Sequence, residues 1–285
     1  MAPNSPSADS IEHEFGVPIP GCILPPEQWA KTALKKLPPA GPLDLAALFG
    51  REAPLVIEIG CGNGRFTLAS AIARPQFNHL AVDILPVVIR YATRRANQRG
   101  LHHTRWAVIG GRELLRDYIA PGSTTEIHCY HPQPYYDRRE IHRRLITPEF
   151  LALVHRSLVP TGTFVVQTDN PAYARYMQTV LPAFFEVTEH PARWPDAPRG
   201  RTRREIIALR EKLPVFRAVC SRRDELNEAD VQKLAATLPQ PAFDADRRWQ
   251  KFDRIEAQSA ETTKSQRSPK RRRQKNSKSR ATDAH

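Results

Sequence analysis

The sequence predicts an α/β domain built on a doubly wound, mostly parallel sheet of about seven strands. From residue 55 onward, short apolar runs alternate with helix-length segments, which is the pattern of consecutive βαβ units. A glycine-rich turn, Gly60 to Gly64, follows the first run and leads into a helix. At 285 residues the chain has room for one such domain with appendages, or for two small domains.

Seven runs are predicted as strands because they are apolar and are bounded by glycine, proline or polar residues. In residue numbers they are 55–59, 80–82, 105–109, 126–130, 163–168, 185–188 and 215–220. Helices are predicted between them from start and stop signals: Pro86 suits a first helical turn, Gly100 lies past a helix end, and Thr147 and Asn227 can act as caps. The predicted helices cover 65–73, 86–98, 112–119, 147–158, 227–238 and a segment from 172.

Changes in composition predict the domain boundaries. Residues 1–50 form a Pro-rich extension, in which prolines bracket a helix at 27–37. Residues 51–222 form the α/β domain. Residues 223–258 form a short helical extension that places Trp249, Phe252 and Ile255 on one helical face. Residues 259–285 are rich in Ser, Lys and Arg, cannot bury enough apolar surface to fold, and are predicted to be a disordered basic tail.

The net charge points to a polyanion as partner. The chain has 43 Lys and Arg against 30 Asp and Glu, a formal charge of +13, and residues 261–285 carry +7 of it. The tail, with its Lys270 to Arg273 run, either contacts RNA without sequence preference or serves as a solubilising or targeting extension. Both interpretations stay open.

Several classes of protein are excluded. No apolar stretch approaches the roughly 20 residues that span a bilayer, and the N-terminus lacks the basic and apolar regions of a signal peptide. The four cysteines lie far apart and without metal-ligand spacing, so they are interpreted as reduced thiols of a cytoplasmic protein. No metal site is predicted, because the histidines lack a third ligand at a recognisable spacing. The oligomeric state stays open.

A first functional motif surrounds the turn after the first strand. Its spacing is G-x-G-x-G, whereas a dinucleotide-binding turn would need a glycine where Arg65 stands. With Glu58 in the strand and Asp83 at the tip of the second strand, this motif resembles the first motif of S-adenosylmethionine-dependent methyltransferases. The alternative is a plain strand-to-helix turn. The resemblance implies a Rossmann-like class I methyltransferase fold with S-adenosylmethionine as cofactor.

The resemblance also assigns the cofactor-binding residues. Glu58 would lie near the amino-acid end of the cofactor, and Asp83 would accept hydrogen bonds from both ribose hydroxyls. The bare backbone of the turn would allow close approach. The acid that the family has after the third strand falls on Gly110, which offers only main-chain groups at the adenine end. The complete cofactor-binding set is Glu58, Gly60, Gly62, Gly64, Asp83 and Gly110.

A second motif follows the fourth strand, in residues 131–150. It resembles the bacterial tRNA (guanine-N7)-methyltransferases, whose fourth strand ends in Pro-Asp-Pro-Trp. In that family the Pro-Asp-Pro-Trp motif is followed by a basic stretch, an Arg-Arg pair and a Pro-Glu-Phe-Leu helix start. Thr168-Asp169 stands where the family has Thr-Asp, and Thr202-x-x-Glu205 stands where it has a Thr-x-x-Glu element that holds the target nucleotide. The resemblance covers roughly residues 52–222.

This resemblance implies a function. It is the transfer of a methyl group to N7 of the guanine at position 46, in the variable loop of tRNA, by an enzyme of the EC 2.1.1 class. Gln133 and Asp169 take the catalytic positions of the family. Arg138, Asp169, Thr202 and Glu205 take its substrate-binding positions.

The motif departs from the family pattern in three places. The family aspartate is Gln133 here, the Trp is Tyr135, and one basic position is Asp137. Guanine N7 carries a lone pair and no proton, so its methylation needs positioning rather than a base. Glutamine offers an acceptor oxygen without charge, which predicts slower transfer rather than none. Two alternatives stay open: a non-catalytic or attenuated paralogue that binds RNA, and a methyltransferase with a different acceptor.

Two groups of arginines are predicted beside the site. The first follows the Pro-Gln-Pro motif and the second surrounds Thr202, and both suit phosphate because a guanidinium can bind oxygens in pairs. A solvated helix face is the alternative for the first group. The arginines are Arg138, Arg139, Arg143 and Arg144, and Arg199, Arg201, Arg203 and Arg204.

Overall fold

The computed structural model describes residues 12–39, 41–197 and 199–265. In this part of the chain, the strands form a small hairpin and an eight-stranded sheet. In chain order they are β1 (His13–Glu14), β2 (Val17–Pro18), β3 (Ala33–Leu34), β4 (Leu55–Ile59), β5 (Asn78–Asp83), β6 (Thr104–Val108), β7 (Thr124–Tyr130), β8 (Leu158–Thr168), β9 (Phe185–Glu189) and β10 (Phe216–Arg222).

The large sheet has the order β3-β6-β5-β4-β7-β8-β10-β9. All neighbours pair in parallel except β10, which is antiparallel to both β8 and β9. This arrangement confirms the predicted doubly wound, mostly parallel sheet. The strand count is eight rather than seven because β3, from the N-terminal extension, pairs with the edge strand β6. The chain progresses to opposite sides from β4, so the switch point lies between β4 and β7, where ligands of such sheets bind.

Helices cover both faces of the sheet. In chain order, the described α-helices are α1 (Leu45–Phe49), α2 (Arg65–Ala73), α3 (Pro86–Gln98), α4 (Gly111–Asp117), α5 (Pro148–Ser157), α6 (Pro171–Phe184), α7 (Arg203–Arg210), α8 (Glu228–Thr237) and α9 (Gln250–Ser265). Thr147 and Asn227 cap α5 and α8 as predicted, each by accepting a hydrogen bond from a backbone N–H of the first turn. None of the helices in the described residues is long and apolar enough to cross a membrane.

The predicted helix at 27–37 is wrong. A short 3-10 turn, Pro26–Gln28, is followed by extended chain that becomes β3. Hydrogen bonds to α3 decide this: Ala30 N–H donates to the Asn97 carbonyl, and Thr32 donates to the Asn97 side chain. The extension is thus packed against the domain, with Ile19 and Ala30 buried.

The C-terminal extension returns to the functional edge of the sheet. Helix α8 packs on α5, and Phe243 packs beside Tyr173 of α6, with 5.0 Å between ring centroids. Helix α9 then packs against α7 and continues to Ser265, beyond the predicted end of the helical extension at 258. The remainder of the predicted tail, 266–285, lies outside the described residues.

Candidate active site

The predicted motifs meet at one edge of the sheet. Strands β4, β7 and β8 are parallel neighbours, with Ile59 in register with Cys129, and Tyr130 in register with Gln167. The glycine turn, the Pro-Gln-Pro loop and Thr168-Asp169 therefore leave the sheet side by side, as expected for carboxyl ends at a topological switch point. Phe66 of α2 packs on Tyr130 at 5.0 Å between ring centroids, which joins the two halves of the site.

The glycine turn has one packed position and two open ones. All three glycines adopt positive φ, from 52° to 80°, which explains why glycine is needed. A Cβ on Gly64 would lie 2.6 Å from the Trp106 ring, so this position closes against the core. A Cβ on Gly60 or Gly62 would meet nothing within 4 Å. The outer part of the turn therefore presents bare backbone to open space.

The surroundings of Asp83 suit a nucleoside. Its Oδ2 accepts a hydrogen bond from Gly62 N–H at 3.0 Å, and its Oδ1 accepts from Leu85 N–H at 2.9 Å, so the carboxylate is held in place while partly exposed. Ile84, Leu85 and Val108 follow or end neighbouring strands and are 46–55% exposed. A carboxylate for ribose hydroxyls beside apolar surface for a base fits S-adenosylmethionine.

Glu58 is turned away from the open side of the turn. Its carboxyl group is buried and accepts hydrogen bonds from the backbone N–H and the hydroxyl of Thr67 in α2. Burial raises the pKa of Glu58 to about 8, although the Thr67 hydrogen bonds act in the opposite direction. The side chain is therefore protonated at neutral pH, and its expected contact with the amino-acid end of the cofactor stays a prediction.

Replacing Glu58 with glutamine should change how stability depends on pH. Because folding raises this pKa, the wild-type protein loses stability as pH rises from about 4.5 toward about 8, while Glu58→Gln does not. Relative to the wild type, the free energy of unfolding of the variant should rise by a few kcal/mol between pH 5 and pH 8. Each pH unit between the two pKa values contributes about 1.4 kcal/mol to this difference. Urea unfolding at several pH values measures this, and a constant difference would show that Glu58 is ionised in the fold.

This chain has Gly110 where the family has an acidic residue after the third strand. The carboxylate of Glu113 lies beside that position. Gly110 caps α4, and a Cβ placed on it would lie 2.1 Å from Oε2 of Glu113. Glu113 is exposed on the first turn of that helix. The adenine end of the expected cofactor site therefore has an acid beside Gly110 that the motif comparison missed.

The second half of the site is a small polar cleft. Its lining combines the two predicted catalytic residues with side chains from α7 and α9. The lining includes His131, Gln133, Asp169, Arg204, Asp253 and Glu256. Gln133 is exposed and its Nε2 donates to Asp253 Oδ2 at 3.1 Å, whereas Asp169 is 3% exposed. The structure thus brings Gln133 and Asp169 together, as predicted.

A chain of hydrogen bonds sets the tautomer of His131. The Trp194 indole can only donate, and it donates to Gln167 Oε1 at 2.7 Å. The Gln167 amide then donates to His131 Nε2 at 2.7 Å, which leaves the ring proton on Nδ1. That N–H donates to Asp169 Oδ1 at 2.7 Å. This chain of hydrogen bonds orients Asp169 from the interior of the domain.

Asp169 is ionised despite its burial. Burial alone would raise its pKa, but the hydrogen bond from His131 and the charge of Arg204, whose Nε donates to Oδ2 at 2.9 Å, hold the pKa of Asp169 below its usual range. The guanidinium of Arg204 also pairs with Asp253 at 2.6 Å. One buried arginine thus holds two carboxylates at the cleft.

Arg144 has a structural role, which corrects its prediction as a phosphate contact. It is 1% exposed, and its guanidinium donates to the carbonyls of Pro134 and Tyr135 in the motif loop. It also donates to the carbonyls of Pro241 and Phe243 in the C-terminal extension. This arginine therefore ties the motif loop, where Tyr135 has a strained φ of 43°, to the C-terminal extension.

Glu205 also differs from expectation. Thr202 caps α7 by accepting from Glu205 N–H at 3.0 Å, and the Glu205 side chain is completely buried. One carboxylate oxygen pairs with Arg217 at 3.0 Å, and the other accepts from Arg201 N–H. The Thr-x-x-Glu element thus forms a helix start and a buried ion pair. Both carboxylate oxygens of Glu205 are engaged within the protein, and its substrate contact stays a prediction.

The second group of arginines is mostly engaged within the protein. Arg201 donates to Tyr130 and Asp196, Arg203 pairs with Glu14, and Arg204 is buried in the cleft. These three do not form the predicted phosphate-binding patch. The arginines that remain exposed are Arg138, Arg139, Arg143 and Arg199.

Sequence reasoning missed three cleft residues. His131 has a local signal, since it directly precedes the Pro-Gln-Pro motif. Arg204 lies inside the Thr-x-x-Glu element and was assigned to phosphate. Asp253 had no signal, because its neighbours in sequence are not part of any motif. Among the described residues, no cluster of His, Cys, Asp and Glu could hold a metal ion.

Comparison with known proteins gives matches over the same region. The family model described as a putative methyltransferase matches residues 52–218, more than half of the chain. The tRNA (guanine-N7)-methyltransferase of Mycobacterium ulcerans (strain Agy99) is 38% identical over 141 residues, or 49% of this chain and 51% of that protein. The tRNA (guanine-N7)-methyltransferase of Halorhodospira halophila (strain DSM 244 / SL1) is 35% identical over 179 residues, or 61% of this chain and 78% of that protein. The chain spans about half the length of the first relative.

Solved structures show the same fold. The 16S rRNA methyltransferase KamB superposes with a TM-score of 0.50 at 14% sequence identity, over 67% of this chain and 98% of that one. At this level of identity the likeness concerns the fold alone.

Proposed function

This chain belongs to the tRNA (guanine-N7)-methyltransferase family, and from that premise we propose that it transfers a methyl group from S-adenosylmethionine to N7 of a guanine in tRNA. The observation that carries the proposal is the meeting of two half-sites at one sheet edge. One is the open glycine turn with Asp83, and the other is the cleft of Gln133 and Asp169. We assign the methyltransferase domain to residues 51–222, and we assign the protein to the cytoplasm because its four cysteines are free thiols.

The donor site is assigned to residues whose geometry suits that molecule. Asp83 would accept hydrogen bonds from the ribose hydroxyls, and Gly60 and Gly62 would lie against the amino-acid part. Ile84 and Val108 would cover the adenine faces. When bound, S-adenosylmethionine supplies an electrophilic methyl group.

The cleft residues act on the acceptor by orienting it. Guanine N7 has an in-plane lone pair, so no proton has to be removed before it is methylated. Asp169, fixed by His131 and Arg204, and Gln133 offer acceptor oxygens to the N–H groups of the base. Holding the base in line with the methyl group can contribute several kcal/mol to the rate. Arg138 and Arg139, exposed beside the motif loop, are assigned to the phosphates of the RNA.

The proposal is tested with purified protein, methyl-labelled S-adenosylmethionine and an unmodified tRNA transcript. We expect label as N7-methylguanosine at position 46, identified by nuclease digestion and mass spectrometry. The same transcript with adenosine at position 46 should take up no label. A folded protein that binds donor and tRNA without transferring label would support the non-catalytic alternative, and label on another acceptor would support the third interpretation.

Asp83 provides the test of the donor site, and Asp117 provides its matched control. Asp83→Asn keeps the size of the side chain and removes its charge, so donor affinity should fall about 10- to 100-fold, the range for hydrogen bonds to charged groups. Asp117→Asn, at a surface pair with Arg116, should leave donor affinity unchanged. Isothermal titration calorimetry with S-adenosylmethionine separates these two results from a general loss of folding.

A further inference from the structure

Gln133 has an acidic neighbour that the family motif does not contain. Asp253 Oδ2 accepts a hydrogen bond from Gln133 Nε2 at 3.1 Å, although the two residues are 120 positions apart. Asp253 lies on α9, outside the residues 52–218 that match the family model. We propose that Asp253 contacts the target guanine and supplies the carboxylate that the family carries at the position of Gln133. This inference rests on the proposed function.

The Asp253 carboxylate is placed by contacts on both of its oxygens. Oδ1 accepts from Arg204 at 2.6 Å, and the same guanidinium holds Asp169 at 2.9 Å. Asp253 therefore joins the pair of residues that already form the base-binding side of the cleft. Each carboxylate oxygen has a second acceptor site, and 20% of the side chain is exposed, so the group can still accept from a ligand.

The helix that carries Asp253 is anchored to the domain. Arg144 binds the Pro241 and Phe243 carbonyls, and Asn170, which caps α6, donates to the Ala245 carbonyl at 3.1 Å. Phe252, next to Asp253, is 6% exposed. These contacts join the extension to the two loops that bear Gln133 and Asp169. The position of Asp253 thus follows from the same residues that shape the cleft.

The charge of Asp253 has a chemical use that Gln133 lacks. In the reaction, the N7 lone pair forms the new N–C bond, the S–C bond breaks with its electron pair staying on sulfur, and no proton moves. The positive charge passes from the donor to the base, so a carboxylate that accepts from the N–H groups of the base binds the transition state more strongly than the substrate. An amide oxygen at Gln133 accepts the same hydrogen bond with a smaller electrostatic gain.

The test uses full-length variants and two readouts. Asp253→Asn should lower kcat/KM for N7 methylation by about 10- to 100-fold, mainly through kcat. It should also lower the preference for binding the tRNA with guanosine at position 46 over the same tRNA with adenosine there. Asp246→Asn, on the same extension at a surface pair with Arg248, should change neither.

Rescue by Gln133→Asp distinguishes a substrate contact from a structural one. In the Asp253→Asn background, Gln133→Asp restores one carboxylate to the cleft, and most of the lost kcat/KM should return. Gln133→Asp alone would place two like-charged carboxylates side by side in the cleft, so it should not exceed the wild-type rate. No rescue, or a large gain from Gln133→Asp alone, would overturn the role of Asp253.

The binding readout keeps this inference separate from the proposed function. If the wild type binds tRNA without methylating it, the proposed activity fails, while a guanosine preference that Asp253→Asn reduces still supports the contact. Equal wild-type binding of both transcripts, or a preference unchanged by Asp253→Asn, would overturn it. Faster methylation by Asp253→Asn would also overturn it, because that result would show that Asp253 on α9 hinders access to the cleft.

Discussion

Replacing Glu205 with alanine is expected to destabilise the protein by about 3–5 kcal/mol, the range for removing one partner of a buried ion pair. Glu205 is completely buried, and Arg217, with its side chain 4% exposed, would keep its charge without a partner. Arg201 N–H would lose its acceptor as well. The free energy of unfolding, measured by urea denaturation, would show the loss.

Two further variants show whether this effect comes from the buried pair. Exchanging both partners for apolar residues, as Glu205→Leu with Arg217→Met, should recover much of the stability, because no buried charge remains. Asp117→Ala, at the exposed pair with Arg116, should change stability little. A Glu205→Ala protein with normal stability and lost tRNA binding would instead support the substrate contact that the family resemblance implies.

Gly64→Ala is the second change with a large expected effect. The new Cβ would lie 2.6 Å from the buried Trp106 ring and 2.8 Å from Ala92, and the backbone has a φ of 80°. Overpacking of a core costs about 1–3 kcal/mol, and a non-glycine residue at such a φ adds about 1–2 kcal/mol. We therefore expect a loss of about 2–5 kcal/mol in urea denaturation.

Gly62→Ala is the matched control in the same turn. Its φ is 52° and its Cβ would meet nothing within 4 Å, so only the backbone strain remains, about 1–2 kcal/mol. Because the new methyl group would occupy the open side of the turn, donor affinity measured by calorimetry should fall in Gly62→Ala. Wild-type affinity in this variant would contradict the assignment of the turn to the donor.

Local pattern predicted most of the α/β domain. The run LVIEI at 55–59 is a strand in the structure, and the helices at 65–73 and 86–98 have the predicted bounds. These elements were predictable because apolar periodicity, capping residues and prolines act within a few residues of the chain. The 27–37 segment failed on the same criteria, because its backbone partners lie on Asn97, far away in sequence.

The candidate site was predicted in its location and only partly in its chemistry. Spacing and resemblance placed Gly60, Asp83, Gln133 and Asp169 at one sheet edge, where the structure has them. The same reasoning assigned Glu205 to the substrate, because a Thr-x-x-Glu spacing is compatible with both a helix cap and a binding element. The burial of Glu205 distinguishes these two roles, and the spacing of residues in the sequence does not predict burial.

By itself, the sequence determined the strand and helix series, the glycine turn and the order of the motifs, since each depends on residues close together in the chain. Only the tertiary structure decided that β3 extends the sheet, that Arg144 and Glu205 are buried, and that Asp253 lies beside Gln133. These features depend on which groups meet across 9 to 120 positions of sequence and on how much water they lose there. Desolvation and pairing are properties of the packed chain, and a local pattern of residues does not specify them.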